Sequence, residues 1–122
     1  MMKKIYLLIF CSILLASCYY DNEETLYPET EACDTTEVSY SAIIVPMLSN
    51  NCYECHSNIN APDFGNNIRL EDYADVKSQS VRMLGAIRHD PAYSPMPRGG
   101  DKLDTCFILQ FEAWNNQGNK EN

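Results

Sequence analysis

The chain has 122 residues, 9 of them basic and 17 acidic, for a formal charge of −8 and a sequence pI of about 4.5. That length holds one small domain. The acidity argues against nucleic acid as a partner and against electrostatic adhesion to anionic lipid, and it calls for docking partners with basic patches.

The N-terminus combines a basic start at Lys3 and Lys4 with an apolar run from Ile5 to Ala16, the pattern of a signal peptide over residues 1–17. The run is too short for the roughly 20 residues of a membrane-spanning helix. Its end, Leu15-Ala16-Ser17-Cys18, resembles the lipobox of bacterial lipoproteins. That resemblance implies cleavage before Cys18, lipidation of its thiol and a chain held on a membrane through acyl groups, facing the periplasm or the cell exterior. Removing 17 residues leaves 105, with 7 basic and 17 acidic side chains and a formal charge of −10. Residues 18–32, acidic and without apolar periodicity, read as a flexible tether. A domain is expected over residues 33–119, with 120–122 as a short tail.

From Ser39 the segment SYSAIIVPMLSNNC places Ile43, Ile44, Met47 and Leu48 on one helical face, with Ser39 or Ser41 as N-cap. Pro46 fits only in the first turns of such a helix or at a kink. Residues 58–67 (NINAPDFGNN) have the composition of a loop. The stretch LEDYADVKSQSVRMLGAI offers Leu70, Tyr73, Val76, Val81, Leu84 and Ile87 as the apolar face of one or two helices. RHDPAYSPMPRGGDK, with three prolines and two glycines, cannot be helical. Asp104 or Thr105 then caps a last helix, with Phe107, Phe111 and Trp114 on its apolar face, Ile108 widening it, and Gly118 ending it. No segment alternates as a strand does, so the fold class is all-α.

Within NCYECH, Cys52 and Cys55 lie nearly one helical turn apart, and His56 follows directly. This C-x-x-C-H order is that of c-type haem attachment. Both sulfurs can face the same way to meet two vinyl groups, and the histidine projects its ring under the iron. Two rivals use the same cysteines. A four-cysteine zinc site with Cys33 and Cys106 would leave His56 idle and need free thiolates in an exported chain. A thioredoxin-like pair would need a βαβ context that is missing. With Cys52 and Cys55 taken as one functional pair, Cys33 and Cys106 are the thiols left to form a disulfide in the exported domain.

The sixth position of such an iron has three candidates after the motif: Met83, His89 and Met96. Met83 sits in an apolar helical pattern that reads as core. Met96 lies between Pro95 and Pro97, whose fixed φ angles stiffen the backbone around a thioether with little use as core filler. Met96 is therefore the expected distal ligand, with His89 the rival.

The stretches YSAIIVPMLSNNCYECH, LEDYADV, SPMPRGGDKL and FILQFEAWNNQG together resemble the class I, monohaem cytochrome c domain of small bacterial lipoproteins. The resemblance implies a cytochrome c fold, with crossed N- and C-terminal helices packed through Phe107, Phe111 and Trp114. It also implies one covalent haem c in a crevice, with His56 on one face and Met96 on the other. The proline that supports the proximal histidine in many such domains would be Pro62. Arg88, Arg98, Tyr73 and Tyr93 are candidates for the haem propionates. Cys33 and Cys106 depart from minimal members and read as a brace.

The function expected is a lipid-anchored electron carrier rather than an enzyme, with redox proteins as partners and no small-molecule substrate. Two alternatives are a haem-based gas- or peroxide-binding protein with a displaceable distal ligand, and a surface interaction module in which haem is a structural staple.

Overall fold

The computed structural model describes residues 33–122. The signal segment, Cys18 and the tether lie outside the described residues. Within them all regular structure is helical and none is strand, as the lack of alternation predicts, and no helix is long and apolar enough to cross a membrane.

The first helix begins at Ser39, whose Oγ accepts from the Ala42 N–H at 3.2 Å. Its opening turn, Tyr40–Ile44, is π-helical and runs directly into α1, Val45–Asn51. Pro46 supplies the physical reason. It lies at the start of α1, where its missing N–H and bulky ring are incompatible with a tight preceding turn. The wider turn bonds Ile44 N–H and Val45 N–H to carbonyls five residues back, Ser39 and Tyr40. Ile44, Met47 and Leu48 are buried, as their spacing predicts.

Cys52 interrupts the helix at φ −124°, and the single turn α2, Tyr53–His56, follows. Residues 57–67 form turns that lead to α3, Tyr73–Arg88. Its buried face is Val76, Ser80, Met83 and Ile87, a stripe at helical spacing, while Val81 is 72% exposed. Sequence periodicity admits Val81 to the core, but packing rotates the helix so that Ser80 takes the inward position. Asp104 caps α4, Thr105–Asn116, its carboxylate accepting from the Cys106 N–H at 2.8 Å.

The inward face of α4 is Ile108, Phe111 and Trp114, with Phe111 and Trp114 fully buried. Phe107, expected on that face, is 40% exposed. Trp114 stacks on Tyr40 at 5.4 Å between ring centroids and lies 5.6 Å from Phe111, while Tyr40 meets Tyr73 edge-on at 5.1 Å. One aromatic cluster therefore joins the first turn, α3 and α4. Each fully buried large side chain contributes about 1.5–3 kcal/mol relative to exposure.

Two links close the fold. Cys33 and Cys106 are disulfide-bonded, with Cα atoms 5.4 Å apart, tying the segment before the first helix to the first turn of α4. Residues 117–122 fold back over the same region. The Gln117 side chain receives the Val38 N–H and donates to the Thr35 carbonyl, Trp114 Nε1–H donates to the Lys120 carbonyl, and Asn122 accepts from the N–H groups of Tyr40 and Ser41. Residues 120–122, expected as a tail, are thus bound to the domain.

Candidate functional site

Cys52, Cys55 and His56 occupy a single helical turn. The Cys52 N–H continues the bonding of α1 by donating to Leu48 O at 2.8 Å, and the N–H groups of Cys55 and His56 both donate to Cys52 O, at 3.2 and 2.8 Å. The two thiols differ in setting. Cys52 packs against the hydrophobic core and Cys55 is exposed, and neither is disulfide-bonded among the described residues. Burial pushes the Cys52 thiol up to about 11, so near neutral pH it is an S–H while nothing coordinates it. The four-cysteine zinc alternative loses two of its ligands to the Cys33–Cys106 bond.

The imidazole of His56 is oriented by backbone. Its Nδ1 lies 2.9 Å from the Ile68 carbonyl oxygen. A carbonyl only accepts, so Nδ1 carries a proton, and in the neutral imidazole the lone pair then lies on Nε2. The loop that delivers Ile68 packs closely against this turn. The His56 carbonyl accepts from Leu70 N–H at 2.9 Å, and Ile68 N–H donates to Gly65 O at 3.0 Å. Gly65 itself has no room for a side chain, because a Cβ there would lie 2.5 Å from Cys55 O and 2.9 Å from His56 Nδ1. Asn66 and Asn67, at φ 53° and 60°, turn the chain through the left-handed region that asparagine tolerates. Pro62, expected to support the histidine, is exposed; the supporting carbonyl belongs to Ile68, six residues on.

Met96 is held at the opposite end of α3. Its N–H donates to Ala86 O at 3.1 Å, and its carbonyl accepts from His89 Nε2–H at 3.1 Å. Both backbone polar groups are therefore committed, and the flanking Pro95 and Pro97 have no N–H to compete. The thioether is left for other contacts on a half-buried residue. Met83 is buried in the core cluster, as expected.

The four propionate candidates divide. Arg88 pairs with Glu112 across α3 and α4. The Tyr73 hydroxyl donates to Asn119 O, and the Tyr93 ring covers Gly85, where a Cβ would fall 2.2 Å from it. Arg98, two residues beyond Met96, is exposed. A surface depression of about 370 Å³ between the end of α3 and the start of α4 is lined by Arg88, Asp90, Lys102, Thr105, Ile108 and Leu109, and by none of Cys52, Cys55, His56 and Met96.

The donor set fits a covalent haem. Two cysteines lie on one turn beside a histidine bonded to the backbone through Nδ1, and a methionine is fixed through its backbone on a separate segment. Sequence reading missed Ile68, Gly65 and the His89–Met96 bond. The only advance signal was the Gly-Asn-Asn run, which marks a tight turn without saying what it encloses. No protein-family model matches the chain, and no curated protein or solved structure matches it significantly.

Proposed function

We propose that the chain is a lipid-anchored carrier of single electrons, a c-type cytochrome of cytochrome c fold. In this reading Cys52 and Cys55 would hold one haem through thioether bonds, and His56 and Met96 would supply the ligands of its iron. The supporting observation is the 2.9 Å bond from His56 Nδ1 to the Ile68 carbonyl beside the C-x-x-C-H turn. Metal-ligating histidines commonly donate their second ring N–H in this way, which fixes ring orientation and raises ligand basicity.

When bound, the haem supplies a one-electron couple whose potential follows from the axial ligands and the burial of the iron. The chain's own part begins with attachment. The S–H of each cysteine adds across a vinyl group, the sulfur bonding one carbon and the hydrogen going to its neighbour, with no net oxidation. Cys52, held against the core as an S–H, becomes a neutral thioether without stranding a buried charge. His56 presents Nε2, and Met96 a thioether on a pinned backbone. The acidic surface favours redox partners with basic patches.

The gas- or peroxide-binding alternative is less well supported. A peroxide site calls for a distal base and a cationic partner, and His89 and Arg88, which could serve, are engaged with Met96 and Glu112. Purified from a host competent in haem attachment, the chain should give one haem per polypeptide in a pyridine haemochrome assay, lost on Cys52→Ala/Cys55→Ala. A colourless product with both thiols open to alkylation overturns the proposal. Rapid carbon monoxide binding to the reduced protein would transfer support to the open-iron reading. Haem-loaded protein that exchanges no electrons with membrane donors would support the interaction module. Cys18→Ser should release the protein from the membrane fraction.

A further inference from the structure

The end of α3 is a Schellman-type cap. Asp90 N–H donates to Gly85 O at 2.9 Å and His89 N–H to Ala86 O at 3.1 Å, with His89 itself left-handed at φ 58°. Glycine is the least costly residue at such a position, because it has no Cβ to crowd the carbonyl. A histidine there calls for a reason on the side chain. The structure gives it one hydrogen bond, from Nε2–H to the Met96 carbonyl. The same Ala86 carbonyl that accepts from His89 N–H also accepts from Met96 N–H. The helix cap and the methionine peptide are thus joined twice, once through Ala86 and once through the imidazole.

We propose that His89 is a positioning residue for Met96, holding its peptide so that the thioether stays directed at the iron. This rests on the reading of Met96 as distal ligand. It assigns the chain's second histidine the support of the axial methionine in place of competition with it. Ala86 alone would hold only the peptide before the Met96 Cα and leave the carbonyl after it, whose orientation is coupled to the side chain, without a bond to α3. The imidazole supplies that bond. A proton must lie on Nε2 to reach a carbonyl, so the bond holds whether or not Nδ1 is also protonated.

The test is titration of the ferric haem protein with imidazole, followed by the long-wavelength absorption of the iron–thioether bond and by the reduction potential. His89→Gly preserves or improves the left-handed cap while deleting the ring, so a purely structural role for His89 predicts wild-type behaviour. Positioning predicts haem attached at the wild-type yield, with imidazole displacing Met96 at a concentration roughly fivefold lower, the equivalent of one ordinary hydrogen bond. His89→Gln, whose amide N–H can reach where Nε2 stood, should recover most of the difference, and it decides the matter if His89→Gly does not accumulate. A His89→Gly protein with the wild-type midpoint and spectrum overturns the proposal while leaving Met96 as ligand, provided Met96→Ala still abolishes the thioether band and lowers the potential. If Met96→Ala leaves the spectrum unaltered, the ligand reading fails and this proposal falls with it.

Discussion

Replacing Gly65 by alanine tests the cradle around His56. An added Cβ would meet the Cys55 carbonyl oxygen at 2.5 Å, His56 Nδ1 at 2.9 Å and Ala61 Cα at 3.0 Å. Two of these three neighbours are backbone atoms, and the third is the imidazole that the Ile68 carbonyl holds. Either the loop withdraws with Ile68 or the imidazole turns, and both movements stretch the bond from Nδ1 to the Ile68 carbonyl. Overpacking of this kind costs about 1–3 kcal/mol and a lost hydrogen bond about 1 kcal/mol. The sum, roughly 2–4 kcal/mol, is a large part of the stability of a small domain. Urea unfolding followed by the single tryptophan, Trp114, reads it directly. Gly100→Ala is the control, since a Cβ there meets only Pro97 at ordinary contact distances of 3.5 Å and beyond. A Gly65→Ala midpoint within error of the Gly100→Ala midpoint refutes the steric account, and with it the claim that this loop fixes the imidazole.

Phe111→Ala should cost about 3–5 kcal/mol as a fully buried aromatic, whereas Phe107→Ala should stay under about 1 kcal/mol; equal costs in urea would mean that α4 is rotated from the orientation described. Tyr40 has a buried hydroxyl with no hydrogen-bond partner among the described residues, so Tyr40→Phe should gain about 1 kcal/mol in the same assay. Burial also raises the Tyr40 phenol from 10.0 to about 12. A group whose folded value lies above its unfolded one stabilises fully below pH 10 and loses that contribution as pH rises towards 12. The alkaline loss of stability should therefore be shallower in Tyr40→Phe, and an identical slope would remove Tyr40 as its source. Cys33→Ser/Cys106→Ser should lower the unfolding free energy by up to roughly 4 kcal/mol, the chain-entropy value for so long a loop, and a loss below about 1 kcal/mol would mean that the unfolded chain is already compact.

Much of the helix inventory was legible because it rests on local chemistry. Ser39 and Asp104 cap where their side chains can reach a free N–H, and the prolines of residues 91–97 forbid helix whatever surrounds them. Helix phase was less legible. Val81 and Phe107 fit the periodicity as well as Met83 and Ile108 do, and only packing against the other helices selects between them. The C-x-x-C-H turn and the Cys33–Cys106 pair could be read from side-chain identity and elimination. The support of His56 could not, because its partner is a carbonyl, a group every residue carries. The expectation of Pro62 attached to a side chain what belongs to the backbone of Ile68. His89 escaped for a related reason: its role lies in a bond to a peptide seven residues away, invisible without the cap that turns its ring towards Met96.

The position of the disulfide has a mechanical consequence. Any pull on the chain ahead of Cys33 enters the fold at that residue and crosses the covalent bond to Cys106 at the first turn of α4. Residues 34–105, which include the C-x-x-C-H turn, His89 and Met96, form a closed loop beside that load path. A pull applied between the leading segment and the chain after Cys106 therefore does not run along the backbone that carries the candidate ligands.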